Sequence, residues 1–196
     1  MYSNPDNIAF LQDPTLVQSE LIYDGAILQL YRNQVRLEGG ELAYREIINH
    51  QKAVGILAVT AQDTVLLVKQ YRAAVAEHFI EIPAGLRDFI EGVEEDALLA
   101  AKRELEEETA YQAEQWHHLG AYYVSPGFLN EEITIFKASQ LTKVTNPLAQ
   151  DNDEYIELLE LNRQQVLELM QQGQIKDMKT QLALNYWLYA KEEEDV

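Results

Sequence analysis

Apolar and polar residues alternate loosely along the first quarter of the chain. Val17–Tyr23 and Ala26–Leu37 read as strands joined at Asp24-Gly25, and Glu38-Gly39-Gly40-Glu41 reads as a hairpin turn returned by Leu42–Asn49. Ala53–Thr60 is almost continuously apolar and rich in β-formers, the pattern of a central strand; Gln62-Asp63 then turns into Thr64–Tyr71, and Phe79–Ile82 is a further short strand. After Pro83-Ala84-Gly85 the pattern is lost through Leu86–Val93. It returns at the helical period over about Glu94–Thr109, where Ala97, Leu98, Ala101 and Leu105 form an apolar stripe. Trp116–Tyr123 and Ile133–Ala138 read as strands around Ser125-Pro126-Gly127. A polar loop, Thr145–Asp153, precedes a strand at Tyr155–Leu161, and two helices follow at about Arg163–Gln172 and Met178–Glu193, with Gly173 as the stop between them.

Strands, one helix, more strands and then helices make an α+β pattern of mixed β-sheets packed with helices rather than a doubly wound one. Residues 1–50 read as an N-terminal antiparallel β extension and 51–196 as the main domain. Neither Gly-x-Gly-x-x-Gly after a strand nor a Gly-Lys-Ser/Thr loop occurs, so Rossmann and P-loop readings lack support.

Charge narrows the function. The formal net charge is −18, which argues against a partner that presents a phosphate backbone, because a nucleic-acid reader needs an electropositive face. A small anionic substrate stays open if local arginines and divalent cations offset the field. The apolar runs are too short to cross a bilayer, the first residues do not form a secretory signal, and the absence of cysteine suits a reducing cytoplasm.

The chemistry concentrates in Arg103-Glu104-Leu105-Glu106-Glu107-Glu108. Glu104 and Glu108, one helical turn apart, point from one face, and Glu107 lies beside them. Like charges at that spacing destabilise an isolated helix by about 0.2–0.5 kcal/mol per pair, and the C-terminal end of a helix is the wrong end for anions. Such a cluster is either a solvated acidic face or a seat for a hard divalent cation such as Mg²⁺, which takes carboxylate, water and phosphate oxygens. His117 and His118, adjacent on a strand, point to opposite faces and make a poor joint ligand set.

With Gly85 and Glu95 ahead of it, this segment resembles the Nudix hydrolase box: a glycine, five residues, a glutamate, seven residues, then Arg-Glu-apolar-x-Glu-Glu-x-Gly-apolar. Glu95 to Arg103 keeps the seven-residue interval, whereas Gly85 to Glu95 has nine residues where the family has five; Ala110 stands where the box ends in glycine. Leu66–Arg72, Glu81–Gly85, Ser125-Pro126-Gly127, Asp153–Glu157 and Asp177-Met178-Lys179-Thr180 are similar to the ADP-ribose pyrophosphatase branch.

The resemblance implies a Nudix fold, a homodimer whose N-terminal strands help build the partner's site, and Mg²⁺-dependent hydrolysis of ADP-ribose to AMP and ribose 5-phosphate, with Mn²⁺ as a possible substitute. It implies Glu104, Glu108 and the Ala84 carbonyl as metal ligands and Glu107 as a further ligand or orienting acid. Arg45 and Arg72 would meet diphosphate or adenine, and Glu81, Ser125 and Glu131 would help define the nucleotide and ribose pockets. Asp153 or Glu154, with Asp151 nearby, would activate water. Another nucleotide sugar such as GDP-mannose, and a non-catalytic nucleotide-binding sensor, are the alternatives.

Overall fold

The computed structural model describes residues 8–149 and 155–189, which form two compact units. Of these, 8–53, 86–97 and 121–134 make up the first unit, and 54–85, 98–120, 135–149 and 155–189 the second.

In the first unit β1 (Leu16–Asp24), β2 (Gln29–Arg36) and β3 (Leu42–Asn49) form an antiparallel meander. The expected hairpin at Glu38–Glu41 is present, with Gly40 at φ 91°, a conformation that glycine adopts without strain. β1 is an edge strand exposed at nearly every position. Buried Asn49 accepts from the Asn130 amide at 2.7 Å and donates to Gln29 at 3.0 Å, tying β3 to the loop at 124–131. That loop adds to β3 through Ile48 N–H to Phe128 O (2.7 Å) and Asn130 N–H to Ile48 O (3.2 Å).

The second unit is built on a sheet. β4 (Ala53–Val59) is buried at all seven positions and lies inside the sheet, as its unbroken apolar run predicts. It pairs antiparallel with β5 (Thr64–Arg72), which pairs in turn with β6 (Glu77–Glu81). The short β7 (Ala84–Leu86) lies against β4.

The stretch without a readable period, Leu86–Val93, contains a miniature hairpin: β8 (Phe89–Ile90) pairs with β9 (Val93–Glu94). Its two turn residues, Glu91 (φ 52°) and Gly92 (φ 83°), both have positive φ, as a two-residue type I′ turn requires. The surplus residues of the box thus fold as a hairpin in the first unit. Phe89 and Val93 also line a cavity of about 700 Å³ there, together with Ile8, Phe10, Asn49 and Tyr123.

Helix α1 runs Ala97–Thr109, so it starts later than the expected Glu94. Glu94 and Glu95 are instead held by the preceding loop: Arg87 pairs with the Glu94 carboxylate at 3.0 Å, and the Asp88 N–H donates to the Glu95 side chain at 3.2 Å. The remaining elements are β10 (Tyr111–Tyr123), β11 (Glu132–Lys143), β12 (Glu157–Asn162), α2 (Arg163–Gln171) and α3 (Met178–Tyr189). The longest sheet path is β10-β11-β4-β5-β12. Both β10 and β11 are longer than their apolar patterns predict. No helix among the described residues is long and apolar enough to cross a membrane.

Candidate active site

Helix α1 buries Ala100, Ala101, Leu105, Glu108 and Thr109. Glu108 therefore continues the stripe that Ala101 and Leu105 begin, a carboxylate where the helical period calls for an apolar side chain. It is 3% exposed, and it accepts a hydrogen bond from the Ala84 N–H at 3.0 Å. Burying a carboxylate costs several kcal/mol of lost hydration unless dipoles or cations replace the water. The peptide N–H of Ala84 is one such replacement, and Arg72 adds a favourable field, since Glu108 is among the carboxylates that raise the Arg72 pKa.

Glu104, one turn earlier, packs over Gly85. A β-carbon on residue 85 would lie 2.0 Å from the Glu104 carboxyl, well inside contact distance, so glycine makes room for that carboxylate. Nη1 of Arg103 donates to Glu104 at 2.7 Å and to Glu107 at 2.9 Å, which holds both rotamers and offsets their repulsion. Ala84, Glu104, Glu107 and Glu108 thus belong to one neighbourhood built from α1 and the strand before it. Among the described residues no three acidic or histidine side chains are gathered into a ready-made ligand cluster. The groups present still fit a hard divalent cation. They are all oxygen donors, two of the carboxylates are largely buried, and Gly85 has no side chain to displace the Glu104 carboxylate that packs over it.

Helix α1 ends at Ala110, whose φ of 60° places a β-branch-free but non-glycine residue in the left-handed region. Its N–H bonds Glu106 O at 2.8 Å, the single closing bond of a left-handed cap. The alanine accepts the conformation that the family's glycine would adopt freely.

Arg72 and Glu81 meet across β5 and β6 in a bidentate pair, at 2.7 Å and 2.8 Å. Glu81 is 2% exposed, and the Lys179 ammonium bonds it from α3. Burial pushes the Glu81 carboxyl up, but Arg72 and Lys179 outweigh it and hold it below the ordinary glutamate value. Arg72 is raised in return, chiefly by its bond to Glu81. Sequence reasoning placed Arg72 and Glu81 but assigned nothing to Lys179; the available signal was its place in Asp177-Met178-Lys179-Thr180.

Three more of the expected residues, Arg45, Ser125 and Glu131, lie in the first unit. Arg45 is an exposed residue on β3 whose guanidinium donates to Tyr44 O at 2.9 Å. Ser125 O accepts from Phe128 and Leu129 N–H at 3.2 Å and 3.0 Å, which makes Ser125-Pro126-Gly127 a closed turn. Glu131 lies 4.0 Å from His50 Nδ1, and its carbonyl accepts from Val124 N–H at 3.1 Å. Asp151, Asp153 and Glu154 fall outside the described residues.

A family model described as NUDIX domain matches residues 49–180. The chain belongs to the Nudix family. It is 36% identical to an ADP-ribose pyrophosphatase of Bacillus subtilis over 90% of this chain and 92% of that one. It is likewise 36% identical to a methanol dehydrogenase activator of Bacillus methanolicus, over 87% and 90% of the two chains. A crystal structure of an ADP compounds hydrolase superposes with a TM-score of 0.76 over 88% of this Nudix chain and 91% of the other, at 20% identity, a likeness of fold.

Proposed function

We propose that this Nudix protein hydrolyses the diphosphate of ADP-ribose, releasing AMP and ribose 5-phosphate. The observation that carries the reading is Glu108: a carboxylate built into the core stripe of α1 and bonded to Ala84, one turn from a Glu104 for which Gly85 makes room. A solvated acidic face would need neither the burial nor the cradle. Relatives named for ADP-ribose, including one from Mycobacterium tuberculosis at 38% identity over 68% of the chain, supply the substrate.

Glu104, Glu108 and the Ala84 carbonyl would hold Mg²⁺, or Mn²⁺ in its place, with Glu107 as a further ligand or orienting acid. When bound, the cation supplies charge neutralisation on the diphosphate oxygens and lowers the pKa of a coordinated water. The chain's own groups do the rest. Arg72, its plane fixed by Glu81, meets the anionic diphosphate, and Arg45, Ser125 and Glu131 are assigned to nucleotide and ribose recognition. Water adds to one phosphorus, the bond from that phosphorus to the bridging oxygen breaks, and the bridging oxygen leaves on the other phosphate. The proton of the attacking water passes to a carboxylate, for which we assign Asp153 or Glu154.

We also infer a homodimer, supported by the apolar exposure of edge strand β1 at Val17, Leu21, Ile22 and Tyr23, and a cytoplasmic location, supported by the absence of cysteine.

Incubating the protein with Mg²⁺ and a panel of nucleoside diphosphate derivatives tests the reading. AMP and ribose 5-phosphate from ADP-ribose, faster than products from GDP-mannose, is the expected result. Tight ADP-ribose binding with no AMP over hours would replace the enzyme with a sensor.

A further inference from the structure

Helix α3 begins at Met178, and the residue before it, Asp177, caps it: Asp177 Oδ2 accepts from the Thr180 N–H at 2.9 Å and from the Thr180 hydroxyl at 2.6 Å. A cap needs only the first of these bonds. The second orients the hydroxyl so that its oxygen can accept from the Ile82 N–H, at 2.9 Å and nearly a hundred residues away in sequence. Thr180 is fully buried, so this bond is made without competition from water. One residue earlier, Lys179 bonds Glu81 and lies 3.1 Å from Asp177. The first turn of α3 therefore grips two consecutive residues, Glu81 and Ile82, by side chains alone.

Those two residues lead into the segment on which the proposed chemistry depends. Pro83 O accepts from Ile56 N–H at 2.8 Å, and Ala84 N–H donates to Glu108 at 3.0 Å. Ile82 to Ala84 is thus fixed on three sides, by α3, β4 and α1. Glu81 meanwhile carries Arg72. With Arg72 as its only partner, a buried Glu81 would lose its neutralisation whenever the guanidinium turned towards an anionic ligand. Lys179 keeps the carboxylate compensated, so Arg72 can share its charge with a diphosphate at lower cost.

We propose that Asp177, Lys179 and Thr180 are positioning residues: Lys179, through Glu81, sets Arg72 for the anionic substrate, and Thr180, through Ile82, sets Ala84 and with it Glu108 for the cation. The proposal rests on the reading of the site as a metal-dependent diphosphate hydrolase. The experiment compares Lys179→Met, Lys179→Arg, Thr180→Val and Thr180→Ser in the full chain. It measures Mn²⁺ binding by calorimetry without substrate, and KM and kcat for ADP-ribose.

Loss of an outer-shell partner typically costs 10–100-fold, so Thr180→Val is expected to weaken Mn²⁺ binding about tenfold. Lys179→Met is expected to raise KM by a similar factor, with kcat changed far less. Thr180→Ser and Lys179→Arg should recover most of each loss, which a purely structural role would not require. Wild-type Mn²⁺ affinity in Thr180→Val together with wild-type KM in Lys179→Met overturns the proposal, whatever the melting temperatures. Should Thr180→Val not fold, an unchanged KM in Lys179→Met overturns it alone. A wild-type protein with no turnover refutes the hydrolase reading, while the Mn²⁺ titrations still decide the positioning role.

Discussion

Glu104 occupies the space that a β-carbon on residue 85 would need, with its carboxyl 2.0 Å from that position. The obstructing atoms are the far end of a flexible side chain, so Gly85→Ala can be accommodated by moving Glu104. The expected outcome is a folded variant with a melting temperature close to wild type. If Glu104 holds the cation as proposed, Mn²⁺ affinity and turnover fall about tenfold or more, because the Glu104 side chain rather than the backbone yields. Titration calorimetry beside a thermal melt checks the split; a large fall in stability with unchanged metal affinity would assign Gly85 to folding.

Ala110 makes the opposite prediction. It holds a left-handed conformation that costs an L-residue about 1–2 kcal/mol and glycine little. Part of that gain is returned as the greater unfolded-state entropy of glycine, so Ala110→Gly should stabilise by about 1 kcal/mol. This corresponds to roughly 2–4 °C in melting temperature for a chain of this size. Activity should be unaffected, since the α1 glutamates are unchanged.

The buried Glu81 carboxylate gives a pH signature. Its pKa is lowered in the folded protein by Arg72 and Lys179 despite burial. Its stabilisation is therefore fully present above the unfolded glutamate pKa, ~4.3, and is lost as pH falls through the lower folded value. Denaturant melts of wild type and Glu81→Gln should differ by a constant amount at neutral pH, with wild type more stable. The difference should shrink as pH falls below ~4.3. A difference that grows on acidification would contradict this charge balance.

Much of this was legible in the chain. Ala53–Val59 showed itself as a central strand because it is buried on both faces, and α1 showed its period because four small or aliphatic residues recur on one side. The Glu104–Glu108 pair stood out because local electrostatics disfavours it, and the cost of Ala110 followed from helix termination alone. Other features left no local trace. The hairpin Phe89–Glu94 has strands of two residues, too short for any period, and its first turn position is Glu91, a residue type that does not advertise positive φ. The first five residues of β10, Tyr111 to Gln115, include three polar side chains and none that is buried, so they offer no apolar run to extend the strand. The Arg72–Glu81–Lys179 triad draws Lys179 from nearly a hundred residues away, so the sequence named Arg72 and Glu81 but neither Lys179 nor the geometry that joins them.

The most direct measurement is ADP-ribose turnover by wild type and Glu108→Gln, with Mg²⁺ and with excess chelator. A buried carboxylate that ligates the cation should give at least about a 100-fold loss in Glu108→Gln, with wild type inactive in chelator and restored by added Mg²⁺. Undiminished wild-type turnover in chelator, or near-normal turnover by Glu108→Gln, would contradict a metal site on α1.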